Sequence, residues 1–419
     1  EKGEGAGEGE GEGTTSSQQK DMNIIPLGWC TSSDRDSWAD AREELVRVGG
    51  SKMKTALETL ESGAILLCLD DEEPVSRSEC GNIFWTGGLS SGNNRWFDKS
   101  IQIMCTNNGK AGLIGEHSMM DGMPMIQYAD YITKNTYSDA LQKSSASASA
   151  SSGANARSGG VENIFQDCFD SLSSGDSNVH SMVAKAKDDF TTLINDHELS
   201  VQSFQGYGSN TIKKFGYSPD AYAQMAIQLA VYRLLGKSVG TYEATQVRPF
   251  LHGRTETTRT VSPDSDIFVK KMGPRPNYKE SSSAKDDKKA LLQKAVNSHV
   301  KYIGKAAKGK GVDRHLFGMS MLVNESEDAP ALYSDPLFVR SKTWRVSTSH
   351  LPHPKFENWG FGEVVPNGLG VAYAVNKNSL VFNVAARKEH NWTERLCHLL
   401  EEALIEMEYI NDEIPKSRL

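Results

Sequence analysis

The sequence predicts a mixed α/β fold, on two observations. Short apolar runs come in pairs around polar turns: Ile101–Thr106 and Ala111–Gly115 flank Asn107-Asn108-Gly109-Lys110, and Leu369–Val375 and residues 380–385 flank Asn376-Lys377-Asn378-Ser379. Paired apolar runs about Asn-Gly are a hairpin signal, because a type I′ turn needs positive φ at both central positions. Other segments repeat their apolar residues every three or four positions, as helices do.

Taken in order, residues 36–48 carry that spacing in Trp38, Ala41, Leu45 and Val48. Pro124 suits the first turn of a helix reaching about Ile132. Ser218-Pro219-Asp220 offers a cap, a first-turn proline and an acid at the positive dipole end, and Gly236 stops the helix that follows. Residues 291–307 and 392–409 predict further helices, the last of them amphipathic. Residues 281–289 are polar and read as an exposed loop.

The chain has 419 residues, too many for one core, and divides at compositional breaks. Residues 1–22, rich in Glu and Gly, are expected to be disordered, and residues 144–160, built of Ser, Ala and Gly, to form a linker or insert. That leaves 23–143 and 161–419 as folded parts. A net charge of −8 gives no reason to expect nucleic-acid binding. No apolar run is long enough to span a membrane. No apolar stretch near the start reads as a signal peptide. The cysteines Cys30, Cys68, Cys80, Cys105, Cys168 and Cys397 form no Cys-x-x-Cys pair, which argues against a zinc ribbon and fits buried thiols in a reducing compartment.

His117 follows the run Ala111–Gly115 and precedes Asp121 by four residues. A histidine near a carboxylate can act as a general base, and transfer of an acyl group to an alcohol needs one, worth roughly 100- to 10,000-fold. That spacing alone is weak, since a lone histidine is more often structural.

Its surroundings are distinctive. Pro26-Leu27-Gly28, Ser37-Trp38-Ala39, Asn94-Arg95-Trp96-Phe97-Asp98-Lys99 and Gly112-Leu113-Ile114-Gly115-Glu116-His117 come first. Ser218-Pro219-Asp220-Ala221, Thr241-Tyr242-Glu243, Gly253-Arg254-Thr255-Glu256-Thr257, Asp313-Arg314-His315, Ser347-Thr348-Ser349 and Phe361-Gly362-Glu363-Val364-Val365-Pro366 follow. In this order the motifs resemble the carnitine/choline acyltransferases, from about Asn23 to the C-terminus.

The resemblance implies a two-domain, mixed-sheet α/β acyltransferase similar to chloramphenicol acetyltransferase, with the site between the domains. It also implies a long segment ahead of Pro26, so the N-terminal domain is expected to be incomplete here. His117 resembles the catalytic base, with Asp121 beside it, and Ser349 the hydroxyl that steadies the tetrahedral oxyanion. Tyr242, Thr255 and Arg314 resemble the residues that hold the carnitine carboxylate, with Ser347 near them and Phe361 against the trimethylammonium. Choline has no carboxylate, so this triad favours carnitine. Lys213 matches one of two lysines near the 3′-phosphate of coenzyme A. Ser209 stands at the other position, and Lys214, Asp220 and Glu243 are expected on the same path. Trp359, where longer-chain members resemble one another in having glycine, implies a pocket for acetyl or another short acyl group.

The resemblance implies no metal and no tightly bound cofactor, with coenzyme A as co-substrate. A monomer is expected. Ser417-Arg418-Leu419 is a variant of the Ser-Lys-Leu address read by the peroxisomal import receptor, which predicts peroxisomal location, or a mitochondrial one if a transit peptide precedes the chain. Pro366-Asn367-Gly368-Leu369-Gly370 departs from the family pattern, with Asn and Leu where Asp and Tyr are usual. A longer-chain or choline enzyme, and an inactive remnant that at most binds coenzyme A, are the rival readings.

Overall fold

In the computed structural model, residues 26–88, 92–118, 120–136, 163–165, 168, 177–323 and 329–411 are described, and their strands form two sheets with separate cores. Residues 1–22, the segment 144–160 and Ser417-Arg418-Leu419 lie outside the described residues.

The smaller sheet has the order β1-β2-β3, from Leu66–Asp70, Ile101–Thr106 and Ala111–Gly115. β1 runs parallel to β2, and β2 antiparallel to β3. Helices α1 (Arg35–Ser62), α2 (Arg77–Thr86), α3 (Gly122–Thr136) and α4 (Ser177–Asn195) accompany it. Trp38, Leu45, Met53 and Leu57 of α1 pack with Trp29, Trp96 and, from α4, Val179, Val183 and Phe190. Arg95 and Asp70 form a fully buried two-armed ion pair at 2.9 and 2.7 Å, and Arg95 also donates to the Ile83 carbonyl at 2.9 Å, fastening β1 to α2.

The larger sheet has the order β4-β9-β8-β7-β5-β6 and mixes parallel and antiparallel neighbours. Its strands are β4 (His197–Phe204), β5 (Thr241–Gln246), β6 (Thr255–Arg259), β7 (Val346–His350), β8 (Leu369–Val375) and β9 (Leu380–Arg387). The helices are α5 (Ser209–Lys214), α6 (Pro219–Leu235), α7 (Pro263–Met272), α8 (Ser282–Ala306), α9 (Asp313–Met321), α10 (Pro336–Ser341) and α11 (Thr393–Tyr409). α6, α8 and α11 cover one face, and α6 is buried from Ala221 to Val231. The α/β class with mixed sheets is therefore what the sequence predicted.

Three local expectations are corrected. The helix expected at 36–48 runs on to Ser62, bending at Gly50, where φ is 61°. In the β2–β3 connection only Gly109 has positive φ (78°), and its N–H donates to the Thr106 carbonyl at 2.9 Å. The turn is thus a longer one closed by a left-handed glycine, not a two-residue type I′ turn. Residues 282–289 are helical, not a loop. Ser281 caps them by accepting from the Ala284 N–H, and Lys288 is buried between Glu280 (2.8 Å) and Glu406 (3.2 Å).

Candidate active site

His117 stands in the loop after β3, where that strand delivers it to the edge of the larger sheet. Its Nδ1 lies 2.9 Å from the Met120 carbonyl oxygen. That bond requires the Nδ1–H tautomer, which leaves the Nε2 lone pair free as a general base needs. Arg254 Nη2, also a donor, lies 3.3 Å from the same Nδ1, a longer contact that makes no hydrogen bond in this tautomer. Asp121 is 3.7 Å from Nδ1, too far to orient the ring by a hydrogen bond.

Its carboxylate instead faces Arg254, which donates from Nε at 3.0 Å and Nη2 at 2.7 Å. Arg254 also donates to the Ser118 carbonyl at 2.6 Å and the His117 carbonyl at 2.8 Å. One guanidinium, one residue ahead of β6, thus clamps the histidine loop to the larger sheet. Arg254 was missing from the sequence-based set of site residues. It stands inside a quoted motif, but nothing in the spacing reveals a partner 133 residues away. The His117 side chain is 76% exposed.

Strand periodicity explains the rest. Tyr242 pairs with Ser347 across parallel β5 and β7, so Tyr242, Ser347 and Ser349 share one sheet face, and Thr348 points to the other. Gln246 pairs with Thr255, which puts Thr255 on the face of Tyr242, about 13 Å along at about 3.3 Å per residue. Arg314, in α9, donates to the Thr255 carbonyl at 3.2 Å and its hydroxyl at 3.4 Å. The structure therefore brings Arg314 and Thr255 together, with Tyr242 farther along the same face, its ring 5.9 Å from that of Trp344.

The loop carrying Trp359 and Phe361 crosses β8. A Cβ on Gly370 would lie 2.6 Å from the carbonyl oxygens of Phe361 and Gly362, so this close passage requires glycine. Trp359 donates to the Tyr373 carbonyl at 3.2 Å, and its ring lies 5.6 Å from Phe361. Beneath it remains a void of about 10 Å³, also lined by Leu351, Phe356 and Ala372, room for about one water.

Lys213 and Lys214 are exposed in the last turn of α5, five residues before α6 begins. Asp220 and Glu243 lie under the sheet. Glu243 is 2% exposed and accepts from His299 Nε2 at 2.6 Å, so it presents no surface to a ligand on the open face. Burial pushes the Glu243 carboxyl up to about 7, reinforced by Asp220 and opposed by His299. Burial, the largest single influence, lowers His299, but the bond to Glu243 together with the charges of Glu243 and Asp220 outweighs it and its pKa is raised. Ligand atoms of Asp220, Glu243 and His299 lie within 4.8 Å of one another. The direct Glu243–His299 bond leaves no room for an ion between those two. No helix among the described residues is long and apolar enough to cross a membrane.

The family model described as Choline/Carnitine o-acyltransferase matches residues 12–402. Carnitine O-acetyltransferase, mitochondrial, of Saccharomyces cerevisiae is 34% identical over 93% of this chain. Carnitine O-palmitoyltransferase 2, mitochondrial, of Xenopus tropicalis is 33% identical over 86%, and choline O-acetyltransferase of Sus scrofa 30% over 93%. The chain spans 56%, 52% and 59% of the lengths of these relatives. With the motifs in order and the match covering most of its length, the chain belongs to the choline/carnitine O-acyltransferase family.

Proposed function

We propose that the protein moves a short acyl group, acetyl foremost, between coenzyme A and the hydroxyl of carnitine. The observation that carries this reading is the tethered His117, whose Nδ1 lies 2.9 Å from the Met120 carbonyl oxygen. Nε2, which has no hydrogen-bond partner among the described residues, takes the carnitine hydroxyl proton as that oxygen attacks the thioester carbonyl. The tetrahedral oxyanion accepts a hydrogen bond from Ser349, a preset donor worth about 3 kcal/mol in a dry site. Collapse breaks the C–S bond, and the proton passes from His117 to the leaving thiolate. No covalent enzyme intermediate forms, and no metal or tightly bound cofactor takes part.

Arg314 and Thr255 present paired donors and a hydroxyl to the carnitine carboxylate, with Tyr242 and Ser347 on the same face and Phe361 against the trimethylammonium. Lys213 and Lys214 meet the coenzyme A phosphates, with Asp220 near that path. Trp359 fills the space a longer chain would need. The parts 23–143 and 161–419 act as two domains with the site between them, in a monomer. Ser417-Arg418-Leu419 directs the protein to peroxisomes, with mitochondria the alternative.

The test is thiol release from acetyl-CoA, first with carnitine, then with choline, then with palmitoyl-CoA as donor. Release that depends on carnitine and prefers acetyl-CoA is expected. Equal rates with choline, or preference for palmitoyl-CoA, would shift the substrate within the family. The exposure of His117 favours one second reading, a chain that binds coenzyme A without turnover. Binding of coenzyme A with no carnitine-dependent thiol would establish it.

A further inference from the structure

Behind the sheet face that carries Ser347 and Ser349 lies a polar chain that the proposed chemistry does not use. Gln224 is fully buried in α6, among Tyr222, Ala223, Met225 and Ala226, all fully buried as well. A buried amide costs stability unless it is hydrogen-bonded, and Leu or Met would fill such a position more simply. Gln224 Nε2 donates to the Thr348 hydroxyl at 2.9 Å and to the Tyr373 hydroxyl at 3.0 Å.

Both hydroxyls have already committed their own protons. Thr348 Oγ1 donates to the Tyr242 carbonyl at 2.8 Å, and Tyr373 Oη donates to Asp220 at 2.7 Å. Each can therefore only accept from Gln224, which fixes the amide orientation with nitrogen toward the sheet. Gln224 Oε1 has no hydrogen-bond partner among the described residues, so the pair of donated bonds is what the amide supplies.

The same bonds reach the open face. Thr348 lies between Ser347 and Ser349, and its hydroxyl ties β7 to β5 at Tyr242, the residue paired with Ser347. Fixing Thr348 from behind therefore fixes three side chains that point the other way. Next to it, His350 stacks on Tyr373 at 4.9 Å and accepts from the Val375 N–H at 3.2 Å, which pins the far end of β7.

We propose that Gln224 is a positioning residue for the acyl-transfer site, holding Ser349, Ser347 and Tyr242 in place through its two donated bonds to Thr348 and Tyr373. The kinetic part of the test rests on the acyl-transfer reading above, and the exchange part does not.

Gln224→Met keeps length and burial and removes both donors. Backbone amide exchange, followed by mass spectrometry, is expected to speed up at least about tenfold in 346–349 and 241–243, and to stay within about twofold in β9. In thiol-release kinetics kcat falls about tenfold, while KM for acetyl-CoA moves less than about threefold. Thr348→Val produces a similar loss of kcat, and the double variant loses no more than either alone, because both cut one connection.

Unchanged exchange in β5 and β7, or faster exchange spread evenly over the whole sheet, would overturn the proposal. So would multiplying losses in the double variant. If the parent protein shows no carnitine-dependent turnover, the acyl-transfer reading fails by itself, and the exchange pattern still decides the role of Gln224.

Discussion

Replacing Arg254 by methionine should loosen the histidine loop without emptying a core. Four bonds are lost: two to Asp121 at 3.0 and 2.7 Å, one to the Ser118 carbonyl at 2.6 Å, and one to the His117 carbonyl at 2.8 Å. Buried bonds to a charged group are worth about 1.5–3 kcal/mol each. The Arg254 side chain is 44% exposed, however, so water replaces much of that, and exposed ion pairs bring only about 0.2–1 kcal/mol. A net loss of about 1–2 kcal/mol in holding the loop is reasonable, and about 1.4 kcal/mol is a factor of ten in rate.

The expected result is a kcat about tenfold lower in thiol release, with KM for acetyl-CoA little changed. Arg254→Lys should fall between, since one ammonium can meet Asp121 or a carbonyl but not all of these acceptors at once. A kcat within twofold of the parent in Arg254→Met would refute the clamp. A loss equally large in KM for acetyl-CoA would relocate its role.

The buried Glu243–His299 pair predicts a pH dependence of stability. Burial holds the Glu243 carboxyl up to about 7, above its ordinary value, so the folded protein keeps there a proton that the unfolded chain has lost. Stability should fall as pH rises from about 4.5 through 7, and Glu243→Gln should flatten melting temperature against pH over that window; parallel curves would contradict this. Trp359→Gly opens the space beside the small void, and should raise octanoyl- relative to acetyl-transfer by at least about tenfold, as pockets sized to a methylene do. An unchanged donor ratio would exclude Trp359 as the barrier. Arg95→Met strands Asp70 in the smaller core, and removal of one partner from such a pair costs about 3–5 kcal/mol; chemical unfolding with a midpoint close to the parent's would argue against a structural role.

Much of the fold was legible because its signals are local. The apolar runs of β2, β3, β8 and β9 flank polar turns, and α6 has proline at its start and a left-handed glycine, Gly236, at its end. β5 and β6 were visible only as motifs. Their buried side carries Glu243, Thr245, Glu256 and Thr258, so no apolar alternation marks them as strands. Thr245 and Thr258 bond each other, Glu243 bonds His299, and Glu256 accepts from the Thr257 and Arg314 backbone N–H groups. The start of α8 was misread for a related reason: Lys288 is polar in sequence, but ion pairs far along the chain bury it.

The site divides in the same way. His117, Ser349, Tyr242, Thr255 and Arg314 stand in motifs that can be read off directly, and the structure groups Arg314 with Thr255, and Tyr242 with Ser347. Arg254 and Gln224 act through partners more than a hundred residues away, and only the folded chain reveals them. Glu243 shows the converse. Its motif suggested a coenzyme A contact, but its strand turns it inward to His299.

The most direct test of the account is the rate of carnitine-dependent thiol release from acetyl-CoA by the parent protein and by His117→Ala at equal, folded concentration. The account predicts turnover in the parent and a loss of at least about 100-fold in the variant, the low end of what a general base contributes. Equal rates in the two proteins would contradict it.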